Sequence, residues 1–348
     1  YTVSMLGVPF VDKVLFPNDQ MDQTGGLVAM LITLSFVAVI AVANGFVQGS
    51  LFGLCGPLPL KYTSAVVLGT AVSGVFICAL RIGTKVGFGD SAEGLTMGVY
   101  VYFSAGGVFS MLCIYLHQRV MPNLPIMLWQ KKQEAMEQGE YSPLMKGSPS
   151  DVPSLRDSDR ETHHRDREDH ALEEGRLLRH PVPTEDIELM PIFRQLWTFA
   201  MAVFIGYLVT LSIFPGVLAE NLKSSTLKSW YSLFLITVFN LGDMTGKMCP
   251  GRYQVKDGGL LFAFSLMRLA FVPIYAVFVE ERMPDTAFFI VTFSLGITNG
   301  FLTTCSMSNA PAIFNDSKTA EIAGTMMVFF LLSGLSLGAC GGWLWIFL

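Results

Sequence analysis

Asp243 and Lys247 stand one helical turn apart inside residues 230–248, where Leu233, Phe234, Leu235, Ile236, Val238, Phe239 and Leu241 are suited to lipid. A carboxylate accepts hydrogen bonds and an ammonium donates them, so the pair offers both functions on one helix face. An ionised side chain at bilayer depth costs roughly 2.5–3.5 kcal/mol on insertion scales, and such residues usually face a bundle interior or a wet cavity. The spacing therefore points to a solute path, or to an ion pair that fastens two parts of a bundle.

A second polar group lies far upstream. Gly45, Gly49 and Gly53 recur at every fourth position and open a groove along one helix face, while Asn44 and Gln48, also four apart, stand on an adjacent face. Gln48 can both donate to and accept from the edge of a ring heterocycle. Asn44 can serve as a ligand or as interhelical glue. Gly69 and Gly74, then Gly334, Gly338, Gly341 and Gly342, read as further packing faces.

The elements that must position these groups are membrane helices. Of 348 residues 51% are hydrophobic and 15% charged, and residues 131–180 alone hold 9 Lys/Arg and 12 Asp/Glu, which leaves the remainder poorer still in charge. Apolar runs long enough to span about 30 Å of hydrocarbon occur at 27–54, 62–80, 97–117, 195–218, 230–249, 259–279, 286–308 and 322–348. Residues 1–16 read as the end of a ninth span, with the helices before it expected to be missing. The fold class expected is an all-α polytopic membrane protein. Two apolar blocks, 1–120 and 191–348, flank a polar segment, 121–190, whose Ser-Pro steps and mixed charge predict a disordered loop.

All six cysteines fall in or beside apolar runs without C-x-x-C spacing, and four of the five histidines lie in the polar segment, so no disulfide framework, metal site or cofactor is expected. Nucleic acid is not among the expected partners. Phe214-Pro215, Val272-Pro273 and Ala310-Pro311 should interrupt or end helices. Lys/Arg counts in the short loops balance, with Lys61, Arg252, Lys256 and Lys318 on the side of the long segment. Acidic residues crowd the other side (Asp90, Glu93, Glu220, Glu280, Glu281, Asp285), and the long loop is accordingly expected inside the cell.

The order of these motifs resembles the equilibrative nucleoside transporters, solute carrier family 29. The likeness runs from Asn44-Gly45-Phe46-Val47-Gln48-Gly49 through Leu58-Pro59, Tyr62 and Ser73-Gly74. It continues through Phe214-Pro215, Lys223-Ser224-Ser225, Phe239-Asn240-x-x-Asp243-x-x-Gly246-Lys247, Arg268-Leu269-x-Phe271-Val272-Pro273, Asn299-Gly300-Phe301 and Ala320-Glu321-x-Ala323-Gly324. The resemblance implies eleven spans in a 6+5, major-facilitator-like bundle, of which about eight and a half are present. It implies a carrier rather than an enzyme, with a nucleoside as partner, residence in the plasma membrane and coupling to protons in some members.

By the same resemblance Gln48 bonds the nucleobase, and Asp243 with Lys247 takes the ribose end of a central cavity. Leu335 matches a position that lines it. Pro215 belongs near the extracellular gate, and Asn240 with Glu321 near the cytoplasmic one, although Glu321 also suits a simple helix cap. Lys247 stands where animal members often carry Arg, a point charge in place of a planar fork. Thr70 stands where Gln is common, leaving base preference open.

Two other readings are available. Gly87-Phe88-Gly89-Asp90 matches the Gly-x-Gly-Asp signature of intramembrane aspartyl proteases, whose paired carboxylates share a proton, but Asp90 sits among Thr84, Lys85, Ser91 and Glu93 and no Tyr-Asp partner precedes it. A multi-pass receptor would bind a ligand without moving it.

Overall fold

The computed structural model describes residues 23–89, 91–128, 188–214, 224, 226–281, 283–343 and 345. Among these the chain is helical, without strands. The helices are α1 (Gln23–Cys55), α2 (Leu60–Phe88), α3 (Ala92–Tyr115), α4 (Leu189–Ile213), α5 (Tyr231–Met248), α6 (Gly258–Met267), α7 (Phe271–Glu280), α8 (Asp285–Asn309) and α9 (Ser317–Gly342). Seven spans are long and apolar enough to cross a membrane, with α6 and α7 joined into one, Gly258–Glu280. The protein is an all-α polytopic membrane protein. The run expected at 230–249 is α5, left out of the seven because Asn240, Asp243 and Lys247 dilute its apolar character; it is nonetheless a continuous helix.

Local chemistry sets several boundaries. Asp257 caps α6 by accepting from Gly259 N at 2.8 Å, and Asp316 caps α9 by accepting from Thr319 N at 2.9 Å. Between α6 and α7 a 3-10 turn, Arg268–Ala270, precedes Pro273, whose ring displaces the carbonyl four residues earlier. Pro311 follows the end of α8 at Asn309. Pro215 and Asp90 lie outside the described residues, as does most of the segment expected to be a disordered loop. That expectation needs trimming at both edges: residues 121–123 form a 3-10 turn and 125–128 a helical one, and α4 is already helical at Leu189. The chain divides into two units, residues 1–130 with 192–348 and residues 131–191; both apolar blocks fall in the first.

Within the first unit, α8 is the central helix, buried along most of its length and packed on α2, α4, α5 and α6. Among the described residues its pairing with α5 is the closest. A Cβ on Gly246 would run into the carbonyl of Ile297, and one on Gly300 into that of Asp243, so neither position accepts a side chain. The contacts rise together along both helices, Gly242 with Phe293 and then Gly246 with Ile297, which makes the pair parallel. These glycines were not among the packing faces read from the sequence. Of those that were, Gly53 lies on Thr325 and Glu321 of α9, Gly334 and Gly338 lie on α4, and Gly69 faces open space.

Two apolar clusters form the core. One gathers Leu196 and Val203 of α4, Leu261 of α6, Leu302 and Met307 of α8 and Met327 of α9, with Phe52 and Val67 from the first block. The other gathers Val209 and Ile213 of α4, Leu235 and Phe239 of α5, Tyr275 of α7 and Phe288 and Leu295 of α8. Arg268 lies between Leu261 and Tyr275, and Asn299 between Leu295 and Leu302. A polar layer thus separates two apolar ones.

Candidate functional site

Asp243 and Lys247 are both buried in that layer, and Lys247 Nζ lies 2.7 Å from Asp243 Oδ2. A helix forces this meeting, since residues four apart share a face. Asp243 Oδ1 accepts from Asn299 Nδ2 of α8 at 2.8 Å, an approach made possible by Gly296 and Gly300 on either side of it. Lys247 Nζ also donates to Thr70 Oγ1 of α2 at 3.0 Å, and the Thr70 hydroxyl donates to Val67 O at 2.6 Å. The pair is therefore shared between helices of both apolar blocks.

The polar layer continues beyond Asn299. Its Oδ1 lies 2.9 Å from Thr210 Oγ1 of α4, whose hydroxyl also lies 2.8 Å from Gly206 O. Arg268 Nη2 donates to Thr210 Oγ1 at 2.7 Å, and Arg268 Nη1 donates to Thr298 Oγ1 at 2.6 Å. Arg268 is only 3% exposed, yet among the described residues it makes no ion pair. Burying a charge without a contacting partner is costly, so this arginine requires an explanation. Sequence reasoning placed Arg268 and Asn299 in motifs but gave neither a role; Arg268 met the same criterion as Asp243, an ionic group inside an apolar run.

The remaining expected residues divide between two places. Asn240 Nδ2 donates to Ile236 O at 2.9 Å and to Cys78 Sγ at 3.5 Å, and its side chain lies against Gly74, at the contact of α5 with α2. Glu321 is exposed on α9 and borders Gly53 of α1. The structure does not bring these two together. Capping of α9 belongs to Asp316, with Glu321 one turn further in, which removes the simple capping role considered for it. Gln48 is half-buried and Asn44 exposed on α1, whose main neighbour is α9; Leu335 is half-buried against the first cluster. Among the described residues no hydrogen bond joins Gln48 or Asn44 to the ionic pair.

No group of three or more His, Cys, Asp or Glu able to hold a metal occurs among the described residues. An apolar cleft of about 440 Å³ is lined by Phe264, Met267, Phe271, Ile297, Phe301 and Leu302 with Arg268 and Thr298. It contains none of the expected site residues and offers a polar solute almost nothing to bond.

A family model described as nucleoside transporter matches residues 34–347. The chain belongs to that family. Among its relatives, the equilibrative nucleotide transporter 8 of Arabidopsis thaliana is 30% identical over 349 residues, covering 99% of this chain and 76% of the relative. The equilibrative nucleotide transporter 1 of the same plant is 29% identical, over 99% of this chain and 69% of its own length, and transporter 2 is 27% identical over 96% and 76%. Membership of the nucleoside transporter family makes the chain an integral membrane carrier of nucleosides, not an enzyme, and disfavours the protease and receptor readings.

Proposed function

We propose that this nucleoside transporter carries purine and pyrimidine nucleosides, with nucleobases as further candidates, by alternating access. The blocks 1–120 and 191–348 would rock about a site at the polar layer, opening it to one side at a time. Asp243 and Lys247 take the sugar. The observation that carries this is the bonding of Asp243: each oxygen accepts from one partner, and a carboxylate offers about four acceptor positions, which leaves acceptor positions unused for the hydroxyls of a ribose once the blocks part. The bond from Lys247 to Thr70 supports it, because a site held by both blocks is one that their relative motion can open.

Gln48 serves the nucleobase, with Asn44 on the neighbouring face and Leu335 lining the cavity. Pro215 acts near the extracellular gate, and Asn240 and Glu321 near the cytoplasmic one. The long loop faces the cytoplasm and the protein works in the plasma membrane. Nothing in the sequence resembles a nucleotide-hydrolysing loop, so net flux follows the nucleoside gradient.

Uptake of labelled uridine and adenosine by reconstituted protein, with and without a pH gradient, tests the proposal. Saturable uptake that stops at equal concentrations and ignores the pH gradient is expected; uptake no faster than in protein-free vesicles overturns it. Stimulation by an inward proton gradient would instead make the carrier proton-coupled. Gln48→Ala is expected to raise KM about tenfold, the loss of roughly one well-made hydrogen bond.

A further inference from the structure

We propose that Arg268 is a positioning residue for sugar recognition, acting on Asp243 through Thr210 and Asn299; this rests on the reading that Asp243 takes the sugar. A guanidinium has donors and no acceptor. Arg268 Nη2 donates to the Thr210 oxygen, so the single Thr210 hydrogen points away from it, towards Asn299 Oδ1 or Gly206 O. With its carbonyl facing the Thr210 hydroxyl, Asn299 turns its amino group to Asp243 Oδ1. The opposite turn would set the Asn299 carbonyl against the carboxylate, an acceptor facing an acceptor, and would leave the Thr210 hydrogen only Gly206 O.

From the other end Lys247, again a donor without an acceptor, fills a position on Asp243 Oδ2. Donors thus converge on Asp243 from two sides and fix the plane of its carboxyl group. The free acceptor positions acquire a fixed direction, and only solutes whose hydroxyls meet that direction gain from it. The arrangement also gives a buried arginine with no ion pair a connection to Asp243, across two neutral side chains that have a donor at one end and an acceptor at the other. Thr298, bonded to Arg268 Nη1 at 2.6 Å, holds the guanidinium in place.

The link to break is Thr210, because Val has nearly the shape of Thr and lacks the hydroxyl. Uptake of uridine is compared with uptake of its 2′,3′-dideoxy analogue in reconstituted wild type, Thr210→Val, Thr210→Ser and Asp243→Asn proteins. The wild type is expected to favour uridine. Thr210→Val is expected to raise KM for uridine about tenfold, with the maximal rate kept and KM for the dideoxy analogue unchanged, the effect of losing one hydrogen bond in a charged chain. Thr210→Ser should restore the preference. Equal loss for both substrates, or an unchanged preference in Thr210→Val while Asp243→Asn abolishes it, overturns the relay and leaves the sugar site standing. No preference in the wild type overturns both.

Discussion

Among the described residues, two of the seams along which the apolar blocks meet differ in the weight they give to polar bonds. Where α2 meets α5 and the 3-10 turn Lys228–Trp230 before it, directed bonds do the joining: Lys247 to Thr70 at 3.0 Å, Asn240 to Cys78, and Lys85 to Ser229 O at 2.9 Å with its ammonium 4.9 Å from the Trp230 ring centre. Where α1 meets α9, small residues let the backbones touch. Gly324 lies on the carbonyl of Phe52, Gly56 on that of Ala320, and a Cβ on Gly53 would come within 2.8 Å of Thr325 Oγ1. A small-residue seam can part and close again without leaving buried donors or acceptors bare. A polar seam cannot, since each lost bond leaves a group that costs about 1–3 kcal/mol, and more when charged. Under the proposed alternating access, the bonds of the α2–α5 seam would have to pass to water or a solute before it parted.

The largest effect belongs to the polar seam. Lys247→Met leaves Asp243 buried without its cation and is expected to cost about 3–5 kcal/mol; Asp243→Asn combined with Lys247→Met should recover most of that stability and none of the uptake, as read from thermal unfolding in detergent beside uridine transport. At the other seam, Gly56→Val drives a side chain into the Ala320 carbonyl and is expected to cost about 1–3 kcal/mol, whereas Gly69→Ala, with nothing within 4 Å, should leave unfolding almost unchanged. Thr70→Val removes one bond to Lys247 and is expected to cost about 1.5 kcal/mol, lowering uptake several-fold while the α1–α9 seam stays intact.

The smallest effect is a pH dependence at the cap of α9. Hydrogen bonds from the Thr319 hydroxyl and backbone hold the Asp316 carboxyl below its ordinary value of 3.8. A carboxyl lowered on folding stabilises above its unfolded value and loses that contribution as pH falls through the folded one. Wild type and Asp316→Asn should therefore differ in melting temperature at neutral pH and converge only in strong acid.

Much of this was legible in the sequence, and for identifiable reasons. Apolar runs fix spans because hydrocarbon leaves the backbone no other way to satisfy its bonds, and charges in such runs stand out, as Asp243 and Lys247 did. The glycines at 45, 49 and 53 announced the α1–α9 seam through their spacing within one helix. The α5–α8 contact is instead written half in Gly242 and Gly246 and half in Gly296 and Gly300, more than 50 residues on, and neither half declares its partner. Asn299 and Thr210 escaped for a related reason. A single neutral polar residue in a span looks like local glue until the fold shows that it bridges Asp243 and Arg268.

The most direct test of the central claim is uridine uptake by folded, correctly inserted Asp243→Asn protein, with its unfolding temperature measured alongside. If the carboxylate receives the sugar, uptake falls at least about a hundredfold, the scale of losing a buried charged contact of roughly 3 kcal/mol, while the protein remains folded. Uptake equal to wild type in protein of unchanged fold would contradict the account.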